Sequence, residues 1–573
     1  MRNLPGRIAR ERGETTMKNP ILSSLLWAFA ALLLVTFPCA CHHSGGGDHV
    51  PEARLGPLHP SPRASAELPL VSLPGQVALG PEGKTVLVAQ PLLGRVLEVD
   101  PKDQSTRVVT TSPISPWGLK PMPDGRTYLV ADSAGDRLLL LDPGKGVERS
   151  VQIPFQGTPF AALPSKDGTW AAVVFAEGFL AQVPLNGGAS RKIDAGLQDP
   201  WGAALEPGEE TLLVAERGLD QLTRVRLSDG AVQKVADRLK ECTDVFLERG
   251  NGSALVASNT GDIYRVMLAG GTVQVFRNLP GAVTLAGGPD LVTVLVGDYE
   301  NGKVYTLDRI KGGAAVLVDG LGEPTWLGVA GDSTLVVVDQ TAMGGLYRID
   351  WTQGLARTTL LLENGRDMTS VCVLPGGGKA ALTTGDGRLY LVPLDGKDPV
   401  LLSSSLVDPS GLSASIDGKT LYLSERKQDS LGTYSRLTAV DVSSGKAKGL
   451  TGFSLTEPVH ATKEVKRGLL AIRDAQGVRL FDLASGHFSP AGYIHLIPST
   501  TGMAAEWPDL WVAWSSGDQN LDFEIDRLDL SRGTVEIIEK GSGVQPVGLG
   551  LTPRGDTLLL VDLAGAAILR FLP

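Results

Sequence analysis

From Pro74 onward the chain repeats one pattern roughly every 43 residues, and that period constrains its fold more than any other feature. Each copy holds Pro-x-Gly or a variant, a short apolar run and a polar turn containing Gly. A second apolar run ending in an acid or Asn follows, then a third ending in Asp. Pro116-Trp117-Gly118-Leu119, Asp124-Gly125 and the runs 128–132 and 138–142 make one copy. Pro409-Ser410-Gly411-Leu412, Asp417-Gly418 and the runs 421–425 and 437–441 make another. Several short strands per unit at a period of about 40–45 residues predict the blades of a propeller. Candidate inner strands begin near Gln76, Trp117, Phe160, Trp201, Thr243, Ala282, Trp326, Thr369, Gly411, Val459, Gly502 and Val547. A single ring of so many units would leave a wide, wet channel, whereas rings of about four to eight close and pack. The expectation is an all-β chain of tandem six-bladed β-propellers with twelve four-stranded blades. The first covers residues 66–320 and the second residues 321–573.

The composition agrees. Hydrophobic residues make up 42% and charged residues 20%, which suits a folded body rather than a disordered one. The 70 glycines supply turns between many short strands. Runs such as Thr211-Leu-Leu-Val-Ala215 are apolar at consecutive positions, as strands covered on both faces must be. The chain ends supply a closing rule. Residues 67–73 form a surplus apolar strand, while the last unit stops at Leu569-Arg570-Phe571 with one strand too few. Pairing of such ends removes an exposed edge. For two rings, residues 67–73 are expected beside residues 304–307, and residues 314–318 beside residues 567–571. The rival arrangement carries the first strand to the last unit.

Residues 1–40 read as a secretory signal peptide, with Met17 as the natural start, Lys18 as the basic stub and an uncharged run over residues 21–37. Ala40-Cys41 resembles a bacterial lipobox, which would place a lipid on Cys41 and anchor the protein at the cell envelope, in the outer membrane or periplasm. A plain signal peptide and an uncleaved anchor helix are the other readings of the same run. Residues 41–65 are rich in Gly and Pro and read as a flexible tether. Net charge is −10, and the first 40 residues are themselves net basic, so the remainder is more acidic still. Such a body repels phosphate backbones, which argues against nucleic acid as a partner. Cys242 and Cys372 sit about three periods apart at predicted inner strands, a placement for separate buried thiols rather than a disulfide.

The pattern Pro-x-Gly-Leu, Asp-Gly, Leu-x-Val-Ala-Asp, Asp resembles the NHL/YVTN-type repeat propellers and the wider six-bladed gluconolactonase-like superfamily, from Pro74 to the end of the chain. The resemblance implies a fold shared by enzymes, binders and scaffolds. Calcium-dependent lactonases of that superfamily open on a Gly-Glu-x-Pro-x-Trp-like motif, which Gly322-Glu323-Pro324-Thr325-Trp326 resembles with one residue fewer. Where those enzymes place two Asn and an Asp, this chain has Asp367, Ser410 and Val459. Val459 has no side-chain oxygen, so a lactonase-like Ca2+ site needing about six oxygens is incomplete.

Residues just before the inner strands belong at the channel mouths. In the second ring that register reads Glu323, Asp367, Asp408 and Glu457. Four converging carboxylates predict a divalent-cation or cationic-ligand mouth, or else four separate turns in which each acid caps nearby amides. In the first ring the register is aromatic: Trp117, Phe160 and Trp201 each follow a Pro. They predict a stacking surface for a carbohydrate or a partner's apolar side chain, or else wedges that cap the core. The strand-end acids Asp132, Glu216, Asp298, Asp339, Glu425, Asp474 and Asp562 recur once per unit, which predicts one structural task in each. No Gly-x-Ser-x-Gly, His-Glu-x-x-His or phosphate-binding loop occurs. The functional expectation is a lipid-anchored binding scaffold without evident catalysis; the alternative is a divalent-metal-dependent lactonase or hydrolase at the second mouth.

Overall fold

The computed structural model describes residues 64–573, apart from residues 114, 249, 251, 289, 291, 342, 353–354, 431, 456–460, 475–476, 492–498, 516–520, 556, 564–566 and 572–573. Cys41, Glu457 and Val459 therefore lie outside the described residues. The described residues belong to one compact unit and are all-β, with strands joined by turns and a few short 3-10 segments. Among them no helix is long and apolar enough to cross a membrane.

The strands form small antiparallel sheets of four, in chain order. One larger sheet has eight strands, being two such groups joined edge to edge. Sheets are numbered here within two series. The first series runs from Val77–Leu79 to Ala314–Val318, and the second from Pro324–Gly331 to Ala567–Phe571. Within each series the first strand of every sheet lies against the first strand of the next. Ala282–Gly287 also lies against Val77–Leu79, and Pro546–Leu551 against Pro324–Gly331.

The core sits between the sheets. In the second strand of the fourth sheet, Leu212 and Val214 join a cluster with Ala172, Val174 and Leu180 of the third sheet. Leu213 and Ala215, pointing the other way, join Val245, Val256 and Val266 of the fifth. Both faces of the strand are thus dry, which is why its sequence is continuously apolar. Each buried methylene contributes on the order of 0.8 kcal/mol, so these central strands carry most of the stability.

Five of the strand-end acids share one task, and the Asp474 side chain lies outside the described residues. Asp132, Asp339 and Asp562 accept the backbone N–H of Ser115, Gly322 and Gln545, 2.8–2.9 Å away, each just ahead of its sheet's first strand. Glu216 and Glu425 do the same for Gln198 and Val407. Asp298 instead binds the Asn301 N–H at 2.9 Å. Cys242 and Cys372 are free thiols; Cys242 is buried, whereas Cys372 keeps part of its surface open.

The expected closing pairs are corrected. Ala64–Glu67 pairs with Ala567–Phe571 in the last sheet, through Glu67 opposite Leu569, which is the rival arrangement. Ala314–Val318 stays in its own sheet, paired with Lys303–Asp308. The reason is local. Asp308 caps the amides of Ile310 and Lys311, and Gly312 adopts a positive φ of 74°, so a tight hairpin forms before any distant partner can compete. The segment between, Leu68–Leu73, then serves both series: Leu68 and Leu70 pack with Leu335 and Tyr347, and Val71 with Val77 and Val304.

Candidate functional site

Three of the predicted aromatics meet. Trp117, Phe160 and Trp201 each follow the proline that opens a first strand, in the second, third and fourth sheets. Phe160 stacks on Trp201 with ring centroids 5.1 Å apart and planes 19° from parallel. Trp117 stands edge-on to both, 5.7 Å from each. A fourth ring joins from the sixth sheet: Tyr299 stacks on Trp117 at 6.2 Å. These are favourable offset and T-shaped geometries, worth about 0.5–1.5 kcal/mol per pair beyond burial. All four rings remain partly exposed.

The cluster has a polar brace. Asp199, held at a positive φ of 47°, accepts from Trp201 Nε1 at 3.1 Å and from Arg217 Nε at 2.7 Å. The Arg217 guanidinium then lies over the Trp201 ring, 4.3 Å from its centre. Trp201 is therefore covered by Phe160 on one face and by Arg217 across its ring. Burial pushes the Tyr299 hydroxyl up to about 12, so it stays a neutral donor at any ordinary pH. Glu300 beside it is also pushed up by burial.

Tyr299 and Arg217 did not stand out in the sequence, yet a signal exists. Each is the residue immediately after a strand-end acid, Asp298 and Glu216, and that position lies at the same end of the sheet as the Pro-aromatic pair. Reading both positions in each repeat would have gathered the set.

The acidic register of the second series is distributed differently. Asp408, at φ 40°, pairs with Arg426 at 2.6 Å, repeating the Asp199–Arg217 arrangement in another sheet. Glu323 sits half-buried beside Asp339; burial and that neighbouring carboxylate push it up, against a smaller pull from Arg366. Asp367 is exposed at the end of the 3-10 segment Gly365–Asp367. Among the described residues no three His, Cys, Asp or Glu side chains gather as a metal site would require, and Glu457 lies outside them.

No family model matches the chain, and no curated protein matches it. The local geometry must carry the functional reading. At the aromatic end that geometry offers apolar ring surface, a fixed guanidinium and a carboxylate.

A shallow cavity of about 340 Å³ opens on the first series where the first strands of three sheets end, lined by Pro121, Met122, Pro164, Lys166 and Pro207. Lys166 Nζ is already bonded to the Pro207 carbonyl.

Proposed function

We propose that the two series of sheets are closed six-bladed propellers in tandem, akin to the NHL-type repeats, and that the chain is a cell-envelope lipoprotein acting as a binding scaffold. The aromatic end of the first propeller is its recognition surface, for a carbohydrate or an apolar side chain of a partner protein. Support for closure comes from the packing of the sixth sheet's Ala286, Leu295 and Val304 against the first sheet's Val77, Val86 and Val88. Support for the envelope address comes from the signal-like run over residues 21–37 and from Cys41.

One observation carries the functional reading: four aromatic rings from four different sheets converge and stay partly open to water. Exposed aromatic surface is unfavourable unless something covers it, and ring faces and edges suit the apolar face of a sugar or a side chain. The test is a titration of tryptophan fluorescence with neutral oligosaccharides and, in parallel, apolar peptides. A saturable change that Trp117→Ala abolishes supports the reading. A change that persists in Trp117→Ala, or no change with either probe class, overturns it.

A further inference from the structure

Two arginines show how this chain spends a guanidinium on structure. Arg224 gives Nε and a terminal nitrogen to Glu206, at 2.7 and 2.9 Å. Arg265 gives the same two atoms to Glu248, at 2.8 Å each, while lying over Phe276. Arg217 is held differently. Only its Nε is bonded, to Asp199 at 2.7 Å, and Asp199 also accepts from Trp201 Nε1 at 3.1 Å. Among the described residues neither terminal nitrogen of Arg217 has an acceptor, although its side chain is only 13% exposed. A guanidinium that is stacked on Trp201, pinned at one atom and largely dry thus keeps its terminal N–H groups unspent at the edge of the aromatic rings.

The second series carries the same clasp without the rings. Asp408-Pro409-Ser410 corresponds to Asp199-Pro200-Trp201, and Arg426 follows the strand-end Glu425 as Arg217 follows Glu216. Both acids hold a positive φ, and Arg426 Nε meets Asp408 at 2.6 Å. Ser410 stands where Trp201 does, so Arg426 lacks that indole, and its side chain is 44% exposed. The clasp therefore stands without aromatic cover. The rings and the unspent nitrogens of the first series answer to something other than holding the turn.

The packing of the rings narrows what that is. Rings whose centroids lie 5.1–6.2 Å apart touch one another, so no slot is left between them for an inserted side chain. A ligand has to lie flat on the surface they leave open. A pyranose does so through its apolar C–H face, and a carboxylate on such a sugar reaches sideways to a neighbouring guanidinium. The planar fork of an arginine matches a carboxylate with two parallel N–H···O bonds.

We infer that the aromatic end of the first series takes an acidic carbohydrate, a chain of uronic acid residues, with one sugar ring on the aromatics and its carboxylate on the terminal nitrogens of Arg217. The inference rests on the recognition reading given above and adds charge to it. Asp199 pins the guanidinium from the Nε side and leaves the terminal side to the ligand.

The test is a titration of the full chain with trigalacturonate and with its full methyl ester, followed by tryptophan fluorescence in buffer free of divalent cations. The two probes share their sugar rings and differ in charge. The acid should bind at least about tenfold more tightly than the ester, because a charge-assisted pair is stronger than a neutral contact. Arg217→Gln should bring the acid down to the affinity of the ester and leave the ester unchanged. Arg217→Lys keeps the charge without the fork and should recover only part of the preference. Equal affinity of acid and ester in the wild type, a comparison that needs no variant, overturns the inference and leaves the rings as a neutral binding surface. An acid preference that survives Arg217→Gln overturns it too, since the anion then sits elsewhere. Binding of an acidic apolar peptide, with neither sugar bound, assigns the surface to a protein partner and overturns it. No binding of any of these probes defeats the recognition reading as well.

Discussion

Single side chains set how neighbouring sheets are clasped. Gln76 Oε1 accepts the Leu119 amide of the next sheet, Asp244 Oδ2 accepts that of Leu285, and Ser370 Oγ accepts that of Leu412, all within 2.8–2.9 Å. Leaving such a buried amide without its acceptor costs about 1–3 kcal/mol, so each polar residue on an otherwise apolar strand has a structural reason. Asp298 shows the cost of the same device. It is fully buried and bonded to Asn301 N and Nδ2, and burial, aided by Glu300, raises its carboxyl from 3.8 to about 6 despite those bonds and Lys303. Between those values the folded protein keeps a proton that the unfolded chain has released. Its contribution is therefore fully present below about 3.8 and is lost as pH rises through about 6. At about 1.4 kcal/mol per pK unit the loss is about 2–3 kcal/mol. Asp298→Asn cannot titrate, so the variant's stability relative to the wild type should rise by that amount between pH 4 and pH 7, read by denaturant unfolding at each pH. A difference that stays flat, or falls, contradicts the assignment. The strand-end acids were legible as a repeat, since an Asp or Glu recurring at one place in seven units implies one task. That Asp298 turns to Asn301 instead was not legible, because its distinguishing partner lies in a turn that the repeat does not share.

At the scale of the strand, the repeat announced nearly everything within a sheet and little about how the ends meet. Expected inner-strand starts at Trp117, Phe160 and Trp201 fall one residue inside Pro116–Pro121, Pro159–Pro164 and Pro200–Leu205, because the proline that fixes φ also begins the pairing. The closing strand was placed wrongly because residues 68–73 carry an apolar pattern that fits either series, and they do pack into both. The aromatic end followed the same division. Residues repeated with the proline were legible, whereas Tyr299 and Arg217 enter from second-strand ends, where the pattern is read as turn. The closing pair gives a prediction with a sharp alternative. Removing residues 64–67 strips the partner from Ala567–Phe571, whose Leu569 and Phe571 are buried with Leu558 and Leu560. Hydrogen exchange should then show lost protection at residues 567–571 and an unchanged hairpin at 303–318, with a greater tendency to associate through the bared edge. Lost protection at 304–307 instead would restore the pairing first expected from the sequence.

For the molecule as a whole, the question is whether the two series behave as one body. Three connections tie them. The outer strands Ser105–Thr110 and Leu355–Glu363 pair edge to edge, with Ala356 opposite Thr106, making one continuous eight-stranded sheet. The two crossing segments run side by side through a parallel bridge between Ser72 and Leu321. Buried polar contacts then lock the seam: Arg95 donates to the Leu68 and Leu70 carbonyls, Thr106 Oγ1 donates to the Ala356 carbonyl, and Lys303 bonds Asp319 and Tyr347. This joint was not readable from the period. It is made by single residues, such as Thr106 and Lys303, at positions that no repeat marks. Because breaking the seam would bare both a sheet edge and a buried ammonium, neither half should open alone. Thermal unfolding should therefore show one transition, with exchange protection in Thr293–Asp298 of the first series and Thr334–Asp339 of the second lost together. Lys303→Met removes a charge whose side chain is 3% exposed and the donor that Asp319 and Tyr347 share, leaving Asp319 with the Tyr347 hydroxyl, so it should lower protection in both strands rather than in the first alone. Two separated transitions in the wild type, or a Lys303→Met effect confined to Thr293–Asp298, would mean that the shared sheet joins the halves without coupling their stability.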